Sequence, residues 1–287
     1  MSNDIDSILK GLPLPLANAI KKLNPVKIAP FSLSPEESDL MHNAHFSTMQ
    51  NFDICHYIHC EHFLKLIHSQ ELYLTRIDQF KADQRDSLYP TANRQQDAPA
   101  DIQIMRSMNT AQDREAIIKT HERARIYNYG HCWFGTGRED EKMWEDFGED
   151  FKGVCITSST HRLKGAVRPH KPFVHETGKI TYWPDDKPIP TFNSVLPFMR
   201  KRPDFINENE VRLLVYYGRL EDVPVDDDGI CLDTSHNLRV RVDLPQLITG
   251  IIIGSCADAE RECAIIEACG KLNLSALVRR SKLQPLK

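Results

Sequence analysis

From residue 53 onward the apolar positions fall into a readable rhythm. Residues 53–59 (DICHYIH) alternate and are rich in β-prone side chains, which predicts a half-buried strand. The period then changes. In residues 60–69 (CEHFLKLIHS), Phe63, Leu64 and Ile67 share one helical face. Residues 71–80 (ELYLTRIDQF) return to a period of two, with Leu72, Leu74 and Arg76 facing away from Tyr73 and Thr75. Together they predict a strand–helix–strand unit.

Residues 81–103 are polar and turn-rich and read as a long surface loop, and residues 104–127 read as a charged helix. Strands are expected at 129–134 (YGHCWF), 153–158 (GVCITS) and 178–183 (GKITYW). Between the first two, residues 139–147 form a short amphipathic helix carrying Met143, Trp144 and Phe147. A helix limited by Pro197 is expected over 191–201, then a strand over 208–217 and an acidic loop over 223–229. Residues 238–244 alternate, 250–254 (GIIIG) read as a buried strand, 258–272 as a helix and 274–279 as a last short strand. Ahead of all this, Ile5, Ile8, Leu9 and Leu12 recur at helical spacing, and Ser34-Pro35-Glu36-Glu37 has the form of a helix start. The expected organisation is a helical N-terminal extension over 1–50 and a single α+β domain over 51–287. Strands and helices mix without strict alternation, which favours mixed or antiparallel central sheets with flanking helices over a doubly wound sheet.

Composition narrows the function classes. The chain has 287 residues, 41% hydrophobic and 26% charged, which suits a globular protein rather than a disordered one. A net charge of −4 gives no global electrostatic reason to expect a nucleic-acid partner. No apolar run approaches membrane-spanning length, and the acidic start lacks a signal-peptide core, so a soluble cytoplasmic protein without a membrane partner is expected. In that compartment the eight cysteines (55, 60, 132, 155, 231, 256, 263 and 269) read as thiols, and no C-x-x-C pair suggests a metal ribbon.

The most informative chemistry lies at Glu208, Glu210 and Arg212. Two-residue spacing in a strand puts all three on one face, and charge at the mouth of an apolar strand faces water or lines a cleft. One reading is a charge pair on an edge strand. The functional reading is a carboxylate oriented by Arg212, able to stabilise a sugar cation or to bind a ribose hydroxyl. Glu210 is then the chemical group and Glu208 the more dispensable carboxylate. The run His56-Tyr57-Ile58-His59-Cys60-Glu61-His62 holds metal-ligand side chains without metal-site spacing; His56 or Tyr57 at the strand end is the better ligand contact. Gly135-Thr136-Gly137 is too short for a dinucleotide fingerprint and reads as a turn that lets backbone approach something closely. Met143, Trp144 and Phe147 read as core, with Trp144 a candidate pocket wall. The hydroxyl run 157–160 reads as a cap or turn, and no G-x-S-x-G elbow is present.

In order, Cys55-His56-Tyr57, Glu71–Phe80, Cys132-Trp133-Phe134, Met143-Trp144-Glu145-Asp146-Phe147, Gly153-Val154-Cys155-Ile156, Glu208-Asn209-Glu210-Val211-Arg212 and Gly250–Gly254 form a recognisable set. It resembles the uncharacterised bacterial family known as domain of unknown function 2971, over about residues 52–283. The chain departs from that pattern at Lys81-Ala82-Asp83, where the family has Asn-Asp-Pro, at Gly135, where it has Ser, and at Phe147, where it has Tyr. The family layout is in turn similar to a remote relative of the ADP-ribosyltransferases. Those enzymes use a His or Arg on a first strand, an aromatic or a Ser-Thr-Ser on a second, and a Glu on a third. The resemblance implies His56 or Tyr57, Thr157 to Ser159, and Glu208 or Glu210.

On that resemblance the chain is expected to be an ADP-ribosyltransferase-like or NAD-glycohydrolase-like enzyme of a bacterial stress or defence system, with NAD as substrate and no tightly bound cofactor. The expected catalytic residues are Glu210 and Glu208. The expected ligand contacts are His56, Tyr57, Arg76, Trp133, Trp144, Ser158 and Arg212, with no metal ligands. Two rivals stay open: a non-catalytic nucleotide- or protein-binding module of a stress or defence system, and a metal-dependent phosphodiesterase or nuclease. The acceptor, protein or nucleic acid, and the oligomeric state stay open as well.

Overall fold

The computed structural model describes residues 51–80, 83, 85–94, 111–189, 195–217, 222–223 and 235–285. The helices expected over 1–50, most of the acidic loop at 223–229 and Cys231 lie outside them.

The strand–helix–strand unit is present as β1 (Asp53–Ile58), α1 (Cys60–Ser69) and β2 (Glu71–Arg76). Helix α1 turns Cys60, Phe63, Leu66 and Ile67 inward and stops at Gln70, whose left-handed backbone (φ 54°) lets its N–H close on the Leu66 carbonyl. Helix α2 (Ala111–Ala124) precedes β3 (Asn128–Phe134). Helix α3 (Glu141–Phe147) starts at Asp140, whose carboxylate accepts from the Met143 N–H at 3.0 Å. Strand β4 (Val154–Ser159) runs directly into α4 (Thr160–Ala166), with Ser159 as the cap foreseen for that hydroxyl run. Next are β5 (Val167–Arg168), β6 (Phe173–Lys179), β7 (Thr181–Tyr182), β8 (Arg200–Lys201) and β9 (Glu210–Tyr217). The chain closes with β10 (Asn237–Val242), α5 (Leu244–Leu247), β11 (Gly250–Ile253), α6 (Ala259–Gly270) and β12 (Val278–Arg280).

Ten of these strands form one sheet in the order β12-β11-β4-β1-β3-β2-β10-β5, with β9 also on β3 and β6 outside β9. Every pairing in it is antiparallel except β11 with β12. The α+β class with a mostly antiparallel sheet is therefore as the sequence predicts. Strands β7 and β8 form a separate parallel pair.

Strand β3 has three partners but only two edges. Along one edge it pairs with β9 over its full length, from Asn128 with Tyr216 to Phe134 with Glu210. On the other edge β2 pairs at Tyr129 and Gly130, and β1 at Phe134. Strands β1 and β2 thus share one edge and diverge, leaving a fork beside residues 131–133.

The sheet's two faces carry different cores. On one, Ile54, Leu72, Leu74, Tyr129, Trp133, Val211, Leu213 and Val215 pack against Phe63, Leu66 and Ile67 of α1, Leu163 of α4 and Ile265 of α6. On the other, Cys55, Tyr57, Phe134, Cys155 and Ile252 pack against Trp144 and Phe151.

Five expected elements differ. The last strand, expected over 274–279, is a 3₁₀ turn at Ser275–Leu277 followed by β12. Within the stretch expected as a surface loop, Asp83, Asp86, Ser87, Tyr89, Ala92 and Asn93 are buried, held by ion pairs and by packing of Tyr89 on Ile118, Leu196 and Met199. The strand expected at 178–183 is shifted: β6 ends at Lys179 and β7 covers only Thr181–Tyr182. The helix expected at 191–201 is, where described, a 3₁₀ turn (Leu196–Met199) followed by β8. The strand expected at 208–217 starts at Glu210, because Asn209 is left-handed (φ 38°) and ends a 3₁₀ segment, Pro203–Glu208. Among the described residues no helix is long and apolar enough to cross a membrane, and Cys55, Cys60, Cys132, Cys155, Cys256, Cys263 and Cys269 are free thiols.

Candidate functional site

Glu210 and Arg212 leave β9 on one face, as their spacing predicts, together with Cys132 and Phe134 of β3 directly opposite them. Arg212 is wholly buried and fully engaged. Its Nε donates to Glu210 at 2.7 Å, its two terminal nitrogens to the Asp86 carboxylate at 2.8 Å each, and Nη1 also to the Phe198 carbonyl at 2.8 Å. Its guanidinium also stacks on Phe80, 5.1 Å away. This fork geometry clamps residues 86–87 and 198 onto the sheet.

Lys201, from β8, is the second buried cation. Its Nζ lies 2.5 Å from Glu208, 3.3 Å from Glu210 and 3.9 Å from Asp86. Glu208 therefore joins the cluster although it is outside the strand. The left-handed Asn209 supplies the bend: the Gly135 N–H donates to the Asn209 carbonyl at 2.7 Å, and Asn209 Nδ2 donates back to the Gly135 carbonyl at 2.9 Å. A Cβ on Gly135 would stand 2.6 Å from that carbonyl oxygen, so the glycine permits the close approach expected of this turn. Gly135→Ala is expected to lower stability by about 1–3 kcal/mol and to displace Glu208 and Glu210. Thermal melting checks the first effect, and a melt like the parent's would show that the contact gives way freely.

Burial by itself would raise the Glu210 carboxyl, but Arg212 and then Lys201 outweigh it and bring it down to about 2. For Glu208 burial dominates and raises the carboxyl, with Lys201 opposing. Burial works against the charge on Lys201, yet Glu210, Glu208 and Asp86 hold it above its ordinary range. Cys132 is exposed although it sits mid-strand, paired with Arg212 of β9 on one edge and beside the fork between β1 and β2 on the other, which marks a recess there. The dense surroundings, then the Glu210 carboxylate to which it is hydrogen-bonded, push its thiol well above the usual range. Cys132 is thus a neutral S–H donor and no thiolate nucleophile.

The remaining candidates separate into other groups. Tyr57 and Trp144 meet edge-to-face at 5.0 Å on the same face as Glu210. They are committed to the core: the Tyr57 hydroxyl accepts from the Asp140 N–H at 2.8 Å and the Trp144 indole donates to Glu139 at 3.3 Å. His56 and Trp133 also meet, with ring centroids 5.2 Å apart. They occupy the opposite face from Glu210, since each alternates with a residue of the first face: Cys55 and Tyr57 around His56, Cys132 and Phe134 around Trp133. Arg76 is buried and bonded to Asp78 at 2.7 Å. Ser158 is buried and donates to the Leu247 carbonyl at 2.6 Å.

Sequence reasoning passed over Asp86, Lys201, Cys132 and His131. The last two sit within the alternation of β3, and parity with Arg212 and Trp133 is the signal that finds them. Asp86 and Lys201 arrive from distant segments and leave no local signal. Among the described residues no group of three His, Cys, Asp or Glu side chains is placed to hold a metal ion. Comparison with known proteins leaves the resemblance resting on its ordered motifs: no family model matches the chain, and no curated protein or solved structure matches it.

Proposed function

We propose that the chain is an ADP-ribosyltransferase-like or NAD-glycohydrolase-like enzyme whose reacting centre is the Glu208–Lys201–Glu210 cluster beside the Cys132 recess. One observation carries this reading. Two carboxylates with opposite protonation tendencies converge on a single lysine, at 2.5 and 3.3 Å. Environments that drive two acids apart divide acid–base work between them. Glu210 stays ionised and is fixed by Arg212, as a group must be to stabilise positive charge developing at a ribose C1′. Glu208 has a raised pKa and a half-buried side chain, as suits a general base. In the reaction the C1′–N bond breaks, nicotinamide leaves with the electron pair, and the oxygen of water or an acceptor hydroxyl bonds to C1′. The proton of that oxygen passes to Glu208 and then to solvent.

Purified chain incubated with NAD is expected to release nicotinamide together with ADP-ribose or an ADP-ribosylated acceptor. NAD left intact at high protein concentration would sink the reading. A second reading, a non-catalytic nucleotide-binding module, is favoured by the opposite facing of His56 and Trp133 relative to Glu210. It predicts saturable nucleotide binding by calorimetry with no turnover.

A further inference from the structure

The end of the sheet formed by β2, β10 and β5 carries core on one face and open surface on the other. Leu72, Leu74, Val167, Val240 and Val242 enter the core. Their alternating neighbours Tyr73, Arg239, Arg241 and Arg168 are exposed. Register sets these four in one block: Tyr73 is directly opposite Arg239, and Arg241 directly opposite Arg168.

Tyr73 is 55% exposed, and among the described residues neither a ring nor a cation stacks on it. A lone exposed tyrosine is ordinary. Its setting is not. Two arginines directly opposite one another on adjacent strands repel. Arg239 and Arg241 form no ion pair among the described residues, although Glu71 stands opposite Arg241 on its other side. Arg168 donates to the Gly165 and Val167 carbonyls and to Gln246 Oε1, which are neutral, so its charge is uncompensated too. Three arginines and one glutamate share this block, in a chain with 36 basic and 40 acidic residues. The surface is basic against the chain's own balance. Edge protection accounts for charge on an outer strand, but not for a bare aromatic on β2, which is an interior strand.

Charge of that sign fits an anionic partner, and the bare ring beside the cations narrows its class. An open aromatic on a sheet stacks on nucleic-acid bases whatever their identity. Arg239 and Arg241 are two residues apart, about 6.8 Å along the strand, which matches the reach between successive phosphates of an extended nucleic-acid strand. A duplex keeps its bases from such a platform, and a lipid surface offers no ring to stack on it. The same face carries the Cys132 recess. Thr75 of β2 is opposite Gly130 of β3, and Tyr73 and Cys132 are the next residues of that face, where the two strands part at the fork.

We propose that Tyr73, Arg239, Arg241 and Arg168 form a docking surface for single-stranded nucleic acid, with a base stacked on Tyr73 and its neighbouring phosphates on Arg239 and Arg241. This surface does not rest on the chemistry assigned to Glu208 and Glu210, so either assignment can fail alone.

Fluorescence anisotropy with the full chain and a labelled, mixed-sequence DNA strand of about 12 nucleotides tests it. Saturable binding at low salt is expected, stronger than to an abasic strand of the same length or to the duplex. Tyr73→Ala is expected to weaken binding at least about fivefold, whereas Tyr73→Phe, which keeps a ring, should bind like the parent. Arg239→Ala combined with Arg241→Ala should flatten the slope of log affinity against log salt by about 1.4. These side chains are exposed, so the variants are expected to melt with the parent. If one fails to fold, the abasic comparison with the unaltered chain decides alone. The proposal is overturned by no saturable binding, by equal binding of the abasic strand, or by parent-like affinity of a folded Tyr73→Ala chain. An unchanged salt slope in the folded double variant overturns it too, as does tighter binding of the duplex or of phosphatidylserine vesicles.

Discussion

Replacing Arg212 by methionine is expected to lower the melting temperature by roughly 10 °C, the equivalent of about 3–5 kcal/mol. The side chain is wholly buried and is shared between two buried carboxylates, Glu210 at 2.7 Å and Asp86 at 2.8 Å. Methionine fills much of the volume but leaves both carboxylates with Lys201 as their remaining cation, 3.3 Å from one and 3.9 Å from the other. Lysine at this position is expected to fare little better, since the two-pronged contact with Asp86 needs a planar fork. Neutralising the stranded acids with Asp86→Asn and Glu210→Gln should recover most of the loss, because the penalty comes from uncompensated charge and not from lost packing. Calorimetry of the single and combined variants separates the two. A single variant that melts with the parent would show that the buried acids find other partners.

Replacing Glu210 by glutamine is expected to cost about 3 kcal/mol near neutral pH, and that cost should fade in acid. Glutamine imitates the protonated carboxyl. In the folded chain Glu210 titrates at about 2, against 4.5 for an ordinary glutamate. Its contribution is complete above pH 4.5 and is lost as pH falls through about 2. Urea unfolding of parent and variant at neutral pH and through that window measures the gap, and a gap that stays constant in acid would refute the assignment. Under the proposed function the same variant also loses about 10²–10³ in turnover, because a neutral amide cannot match the ionised carboxylate at a developing sugar cation. Glu208→Gln should instead remove the acid limb of the pH–rate curve, the fall in rate as the general base is protonated, while melting close to the parent.

Local period carried much of this protein into view. The switch from alternation to helical spacing at Cys60 marks the boundary between β1 and α1, and Asp258 marks the start of α6 as its cap. The alternation in β9 pairs Glu210 with Arg212 correctly. Yet the same reasoning put Glu208 in the strand, where Asn209 breaks it, and the residue reaches the cluster by way of Lys201. Its membership depends on the close backbone approach of its neighbour Asn209 to Gly135, 74 positions before Asn209. Asp86 shows the limit most clearly. It sits in a stretch that is polar and turn-rich in sequence, and only a guanidinium 126 residues later makes its burial tolerable.

By itself the sequence determined the α+β class, the elements around the fork and the parity of β1, β2, β3 and β9. Those depend on the periods 2 and 3.6, which a few consecutive residues express. Tertiary structure decided which faces meet. It put His56 with His131 and Trp133 on one side of β3, and Glu210 with Cys132 on the other. It also turned an apparent surface loop into one wall of a buried charge cluster. Register between strands, and the partner that neutralises a buried charge, are set by contacts between distant segments, and no local pattern encodes them.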